Sequence, residues 1–234
     1  MRRPPDPAEP VTPKAFDAAY FRRFYFDPRT RVTTAAEMRA KARMIAAVLE
    51  RCELPVRSVL DAGCGVGALR APFARLWPTA TYVGLEHSEY LCARYGWIRG
   101  SVEDFTSDRR YDLVVCYDVL QYLDDRAAAK ALANLGRLAR VAIYVSALTV
   151  ADWRDHCDQQ LTDGAVHLRS ADWYRRRLAR QFRFIGCGVW VRRGIAAYQW
   201  ELERPAPPVS RGRESSRRAP DAGVRRRRSR PADR

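Results

Sequence analysis

The chain has 234 residues, is 47% hydrophobic and carries a net charge of +15, which is material for one α/β domain with polar tails. No apolar run reaches the roughly 18 residues a membrane helix needs, and the longest uncharged stretch runs only from Val141 to Ala151, so no membrane attachment is expected. Part of the charge is local: residues 204–234 hold eleven arginines against Glu214, Asp221 and Asp233, and only three lysines occur in the whole chain. Such a tail permits contact with an acidic partner such as nucleic acid, but an arginine skew of this kind is a weak pointer to one.

The basic N-terminus, MRRPPDPAEP, has no apolar segment behind it and does not read as a secretory signal. Six cysteines lie singly, with no CxxC pair and no Cys/His spacing. Reduced thiols in a cytoplasmic protein without a metal centre are expected.

Three regions follow from composition. Residues 1–13 are proline-rich and read as a disordered tail, 14–203 form the folded domain, and 204–234 form a disordered Arg-rich tail. Within the domain, AFDAAYFRRFYF at 15–26 predicts an aromatic amphipathic helix stopped by Asp27-Pro28. Thr34-Ala-Ala-Glu37 is a capping box opening a helix to about Arg51, with Met38, Ala42, Ile45 and Leu49 at helical spacing. Strand and helix then alternate: strand Ser58–Asp61, helix Ala68–Leu76, strand Thr81–Leu85, helix Ser88–Tyr95, strands Trp97–Ser101 and Tyr111–Tyr117, helix from Asp124 to about Arg140, and strand Val141–Ser146. This alternation predicts a three-layer, doubly wound, mostly parallel sheet. Two β-rich runs, Arg183–Val191 and Ala196–Glu203, are joined by a link short enough to force an antiparallel pair, giving seven strands with the last one antiparallel.

VLDAGCGVGAL, residues 59–69, places glycines at 63, 65 and 67 directly after the first strand. Backbone freedom there lets a ligand lie against the main chain, and the helix that follows offers free N–H groups to an anion. The segment can be forced into the dinucleotide pattern GxGxxG/A, so an NAD-type oxidoreductase is one reading. Asp61 argues against it, because an acid two residues before the first glycine repels a pyrophosphate but accepts from an α-ammonium group. The GxGxG spacing and the antiparallel C-terminal pair point the same way.

Together, VLDAGCGVGAL, YVGLEHSEYLC, IRGSVEDF and YDLVVCYDVLQYLDD resemble the class I S-adenosylmethionine-dependent methyltransferases, from about Leu54 to Arg140. The resemblance implies that Gly63 and Gly65, with Cys64 between them, line the methionine and ribose part of the cofactor and that Asp61 supports its amino group. It implies that Glu86 takes the ribose hydroxyls, His87 flanks the adenine, Val102-Glu103 meets the adenine edge and Tyr117 closes the floor after the fourth strand. The family often has Asp where this chain has Ser101, which leaves Ser101, Glu103 and Asp104 as alternatives at the adenine. Residues 14–53 would form a helical lid, with Arg29 or Arg31 available to the methionine carboxylate.

Methyl transfer is an in-line displacement that needs alignment first and a base only for some acceptors. The substrate-side insert, residues 148–170, holds His156 and His167, the candidates for a general base. Trp153, Trp173 and Tyr174 are candidate pocket walls, and Arg175 to Arg177 read as a helix face. Asp118 after the fourth strand is followed by Val119, not by the Pro-Pro-Tyr of amino-methylating nucleic-acid enzymes, and no Pro-Cys nucleophile occurs. A small-molecule oxygen or nitrogen acceptor is therefore expected. The alternatives are an RNA or protein acceptor held by the tail and a non-catalytic cofactor-binding scaffold. Oligomeric state is open.

Overall fold

The computed structural model describes residues 16–205; the two tails read from the sequence lie outside that range, apart from the first residues of the second. Asp17 caps a short helix α1 (Ala18–Phe21), which runs into a π-helical turn, Arg22–Phe26, before Asp27-Pro28 stops it. The expected capping box forms: Thr34 Oγ1 accepts from the Glu37 N–H and the Glu37 carboxylate accepts from the Thr34 N–H, opening α2 (Ala35–Arg51).

The sheet contains β1 (Ser58–Ala62), β2 (Thr81–Glu86), β3 (Ile98–Arg99), β4 (Tyr111–Tyr117), β5 (Ala139–Ser146), β6 (Phe182–Gly186) and β7 (Val189–Arg192). Its order is β3-β2-β1-β4-β5-β7-β6; the pairs from β3 through β5 are parallel, and β7 lies antiparallel to both β5 and β6. Helices α3 (Arg70–Leu76), α4 (Glu89–Tyr95) and α5 (Asp125–Leu138) make the crossovers, and α6 (Val150–Asp155) and α7 (Ala171–Leu178) follow β5.

Strand alternation sorts the apolar side chains into two cores. Leu113, Val115, Ala142 and Tyr144 pack with Met38, Ile45 and Leu49 of α2 on one face. Val114, Cys116, Ile143 and Val145 pack with Leu132, Leu135 and Leu178 on the other. Both faces of YDLVVCY are thus covered, which is why it reads as a continuous apolar run. The strand order reverses between β1 and β4, so the loops leaving their carboxyl ends part there and open a crevice.

The seven-stranded, doubly wound sheet matches expectation, but its last two strands are composed differently. The run 183–191 folds on itself at Cys187-Gly188, whose φ values of +47° and +77° make a tight hairpin turn. Residues 196–203 add no strand. They pass the end of α2, where the Tyr198 N–H donates to the Cys52 carbonyl at 3.1 Å, and finish in a 3-10 turn, Glu201–Glu203. The antiparallel strand is therefore β7, seated between β5 and β6. The third strand is also shorter than the predicted 97–101, because Trp97 turns its ring under the glycine loop and donates to the Gly65 carbonyl at 3.0 Å.

Candidate functional site

Three cavities lie side by side over the crevice. The largest, about 300 Å³, runs from Gly63, Gly65 and Glu86 to Ser101, Val102 and Glu103 under the aromatic rings of Phe16, Tyr20 and Phe21. A small one, about 50 Å³, is lined by Asp61, Cys64, Tyr117, Thr33 and Met38. The third, about 190 Å³, lies between the N-terminal aromatics and the segment after β5, against Tyr117, Gln121, Leu148, Cys157 and Asp163. Tyr25 and Asp118 line all three.

The three loop glycines have positive φ but do different things. A Cβ on Gly63 would come within 2.3 Å of Val119 Cγ2, and one on Gly67 within 2.5 Å of the Trp97 ring, so these two glycines make room for protein side chains. A Cβ on Gly65 meets nothing within 4 Å, and this residue lines both the large and the small cavity. Only at Gly65 does the missing side chain leave open space.

Glu86, at the end of β2, is 8% exposed and held by main-chain donors. His87 and Ser88 N–H groups both donate to Oε1 at 2.8 Å, and the Gly65 N–H donates to Oε2 at 2.7 Å. Both lone pairs of Oε1 are engaged, and Oε2 keeps one for a ligand hydroxyl. Asp61 is 3% exposed and accepts from Tyr82 Oη at 2.5 Å through Oδ2. Burial lifts its pKa to about 7, with Tyr82 opposing and the Glu86 charge adding. Two acidic groups thus stand in the adjoining cavities that the Gly63–Gly65 backbone lines in common.

All nine residues expected at a cofactor line one of these cavities: Gly63 and Gly65 line the large and small ones, Glu86, His87, Val102 and Glu103 the large one, Asp61 and Cys64 the small one, and Tyr117 the small and third ones. Ser101 lines the large cavity and accepts the Glu103 N–H at 3.2 Å, whereas Asp104 is exposed and turns away. Arg29 is paired with Asp27 at 3.0 Å and 87% exposed, and Arg31 is exposed; neither lines the cavities.

His156 and His167 are not brought to this site. His156 sits exposed at the end of α6, and His167 is fixed through its backbone, its N–H donating to the Gln121 carbonyl at 2.7 Å. Neither lines the three cavities. Trp173 packs at the margin of the core and Tyr174 lines a separate hollow near Trp190. Arg175 to Arg177 lie in the last turn of α7, as expected for a helix face.

Sequence reasoning missed Asp118 and Gln121 as site residues and placed Tyr20, Phe21 and Tyr25 only within the lid expected from residues 14–53. Asp118 has φ +61°, a conformation a side chain other than Gly, Asn or Asp rarely takes, directly at a strand end. Burial raises its pKa, while the Gln121 amide and Lys41 oppose that rise.

Residues 59–141 match the family profile described as a methyltransferase domain. No curated protein matches the chain. Among solved structures, magnesium protoporphyrin IX methyltransferase from Synechocystis PCC 6803 with bound SAH aligns at TM-score 0.54 and 21% identity, over 76% of this chain and 96% of that one. Streptomyces venezuelae DesVI aligns at TM-score 0.51 and 16% identity, over 67% of this chain and 91% of that one. The plantazolicin methyltransferase BpumL, in complex with a triazolic desmethylPZN analog and SAH, aligns at TM-score 0.53 and 15% identity, over 69% and 72%. Likeness at these identities concerns the fold, and the profile match covers the segment from β1 to β5 that carries the glycine loop, Glu86 and Asp118. Residues 59–141 thus resemble a methyltransferase domain, set in a fold that the chain shares with these three methyltransferases.

Proposed function

We propose that the large and small cavities hold S-adenosylmethionine and that the third holds a small-molecule acceptor of the methyl group. The single observation that carries this is Glu86: a buried carboxylate pinned by three backbone N–H groups, one from the glycine loop, at the edge of a cavity of about 300 Å³. The acceptor position left on Oε2 suits a ribose hydroxyl. Apolar Leu85, Val102 and Leu123 suit an adenine face, and Asp61 suits an α-ammonium group.

The bound cofactor supplies a methyl group already activated on a sulfonium. The chain's residues then have three tasks. Gly63 and Gly65 let the main chain approach, Glu86 fixes the ribose, and Tyr25 and Asp118 sit where all three cavities meet. Alignment there supplies most of what an in-line transfer requires. Closure by Tyr20, Phe21 and Tyr25 keeps water from the junction, and burial pushes the Tyr20 phenol up to about 12, so it is a neutral wall.

A small acceptor is favoured by volume: about 190 Å³ is the space of roughly six waters. Among the described residues no helix is long and apolar enough to cross a membrane, and the six cysteines are free thiols, in keeping with a reducing compartment such as the cytoplasm. Calorimetric titration with S-adenosylmethionine, its demethylated product and NAD tests the proposal. Micromolar binding of the first two, lost in Asp61→Ala and Glu86→Ala, is expected. Binding of NAD alone would overturn it.

A further inference from the structure

Gln121, in the short 3-10 turn Leu120–Tyr122 after β4, is only 2% exposed and lines the third cavity. Its Nε2 donates to Asp118 Oδ1, which fixes the amide orientation, because an ionised carboxylate only accepts. The Gln121 Oε1 is left buried with no hydrogen-bond partner among the described residues. A buried amide oxygen is costly to leave unpaired, and the cavity beside it is where a partner can enter.

The surroundings define that partner. Asp118 and Asp163 both line the cavity, and among the described residues no lysine or arginine does. Lys41, whose charge acts on Asp118, does not enter the cavity: its ammonium stands 4.1 Å from the Tyr117 ring centre and donates to Tyr144 Oη at 3.5 Å. The rings of Tyr20, Phe24, Tyr25, Tyr117 and Tyr122 make up much of the remaining wall, beside aliphatic, thiol and threonine side chains. Carboxylates and aromatic faces together select a cation. A hydroxyl has one proton and serves Gln121 Oε1 or Asp118, not both; an ammonium serves both at once.

We infer that the third cavity is the acceptor subsite for a small primary or secondary amine, held between Gln121 Oε1 and Asp118, and that methylation occurs on its nitrogen. This rests on the cofactor reading of the two neighbouring cavities. Asp118 takes one proton from the ammonium, giving a neutral amine and a neutral carboxyl. The nitrogen lone pair then forms the new N–C bond as the C–S bond breaks and its electron pair stays on sulfur, so the cofactor's positive charge passes to the methylated ammonium. Asp118 afterwards releases its proton to solvent. Burial raises its pKa, as suits a base; the Gln121 amide and Lys41 from α2 oppose this, and Tyr20, Tyr25, Cys116, Tyr117, Tyr122 and Cys157 are the other titratable groups that feel its charge.

The test is calorimetry on the full chain saturated with the demethylated cofactor, titrated with benzylamine and 2-phenylethylamine and with the matched alcohols. At least one amine is expected to bind ten times or more tighter than its alcohol. Gln121→Met, at a position that lines only the third cavity, is expected to erase that preference while the cofactor titration still saturates, and Asp118→Asn, which tolerates the positive φ, is expected to erase it too. If the demethylated cofactor does not bind, the cofactor reading fails. If it binds and the alcohols match the amines, or neither series binds, the amine inference alone is overturned. Mass spectrometry of a reaction with S-adenosylmethionine locates the added methyl; a gain on oxygen of a phenolic amine such as tyramine also overturns it.

Discussion

Tyr82 Oη lies 2.5 Å from Asp61 Oδ2 and donates a hydrogen bond to this buried carboxylate. The two residues come from adjacent parallel strands, β1 and β2, two positions apart in register, since Tyr82 pairs with Val59 and Asp61 with Gly84. The contact offsets only part of the cost of burying a charge, and the Asp61 pKa stands at about 7 instead of near 4.

The linkage has a definite sign. Between the unfolded value near 4 and the folded value of about 7, the folded state binds more protons than the unfolded one, so apo-protein stability falls as pH rises through this window and levels off above it. Cofactor affinity runs the other way if an α-ammonium meets Asp61, since the carboxylate must be ionised to accept it. We expect the apo melting temperature to fall from pH 5 to pH 8, with a shallower fall in Asp61→Asn. Affinity for the demethylated cofactor should weaken about tenfold per unit below pH 7. A pH-independent affinity would remove Asp61 from the ammonium site. Tyr82→Phe should raise the carboxyl pKa further and move the affinity midpoint to higher pH.

Glu86→Gln replaces a carboxylate that accepts three backbone N–H bonds with an amide that turns its NH₂ toward at least one of those donors. The expected loss is about 1–3 kcal/mol in urea unfolding, together with a drop of tenfold or more in cofactor affinity. Unchanged affinity with unchanged stability would show that the Glu86 contacts are incidental.

The glycines separate ligand space from packing space. Gly63→Ala drives a methyl into Val119 and Gly67→Ala into the Trp97 ring, so both should lower stability by more than the roughly 1–2 kcal/mol that a positive φ alone costs. Gly65→Ala adds a methyl in open space and should show only that backbone cost, while losing cofactor affinity. Chemical denaturation of the three variants beside cofactor titration checks the split. Equal stability losses at all three positions would contradict it.

Sequence made the sheet readable because its signals are local: YDLVVCY is buried on both faces, and the Thr34 capping box closes within four residues. What it hid was non-local or conformational. Cys187-Gly188 lies inside a β-rich run, so its hairpin shows only through two positive φ angles. His156 and His167 attract notice by residue type, yet the turn ending α6 and the bond to Gln121 direct them away from the cavities. Asp118 and Gln121 matter through their position at the β1/β4 divergence, and neither type announces that in a sequence. The N-terminal aromatics were legible only as part of the expected 14–53 lid, and they pack on one another while roofing the large cavity.

Arg169 was equally hidden, and it holds the Asp118–Leu123 loop in place. It is 5% exposed, and its guanidinium donates to the Leu120 carbonyl at 3.0 Å, the Leu123 carbonyl, the His167 carbonyl at 3.3 Å and Asp125 Oδ1 at 2.6 Å. The Thr149–Arg169 bridge joins the ends of the segment that supplies Leu148, Cys157 and Asp163 to the third cavity. Arg169→Met therefore strands buried carbonyls of the loop that carries Gln121, at a cost of about 3 kcal/mol. Asp125 is 74% exposed, so Asp125→Asn leaves a solvated partner and should cost less than about 1 kcal/mol. Urea unfolding of both variants gives the comparison. Near-equal losses would mean that the ion pair, and not the carbonyl clamp, is what Arg169 contributes.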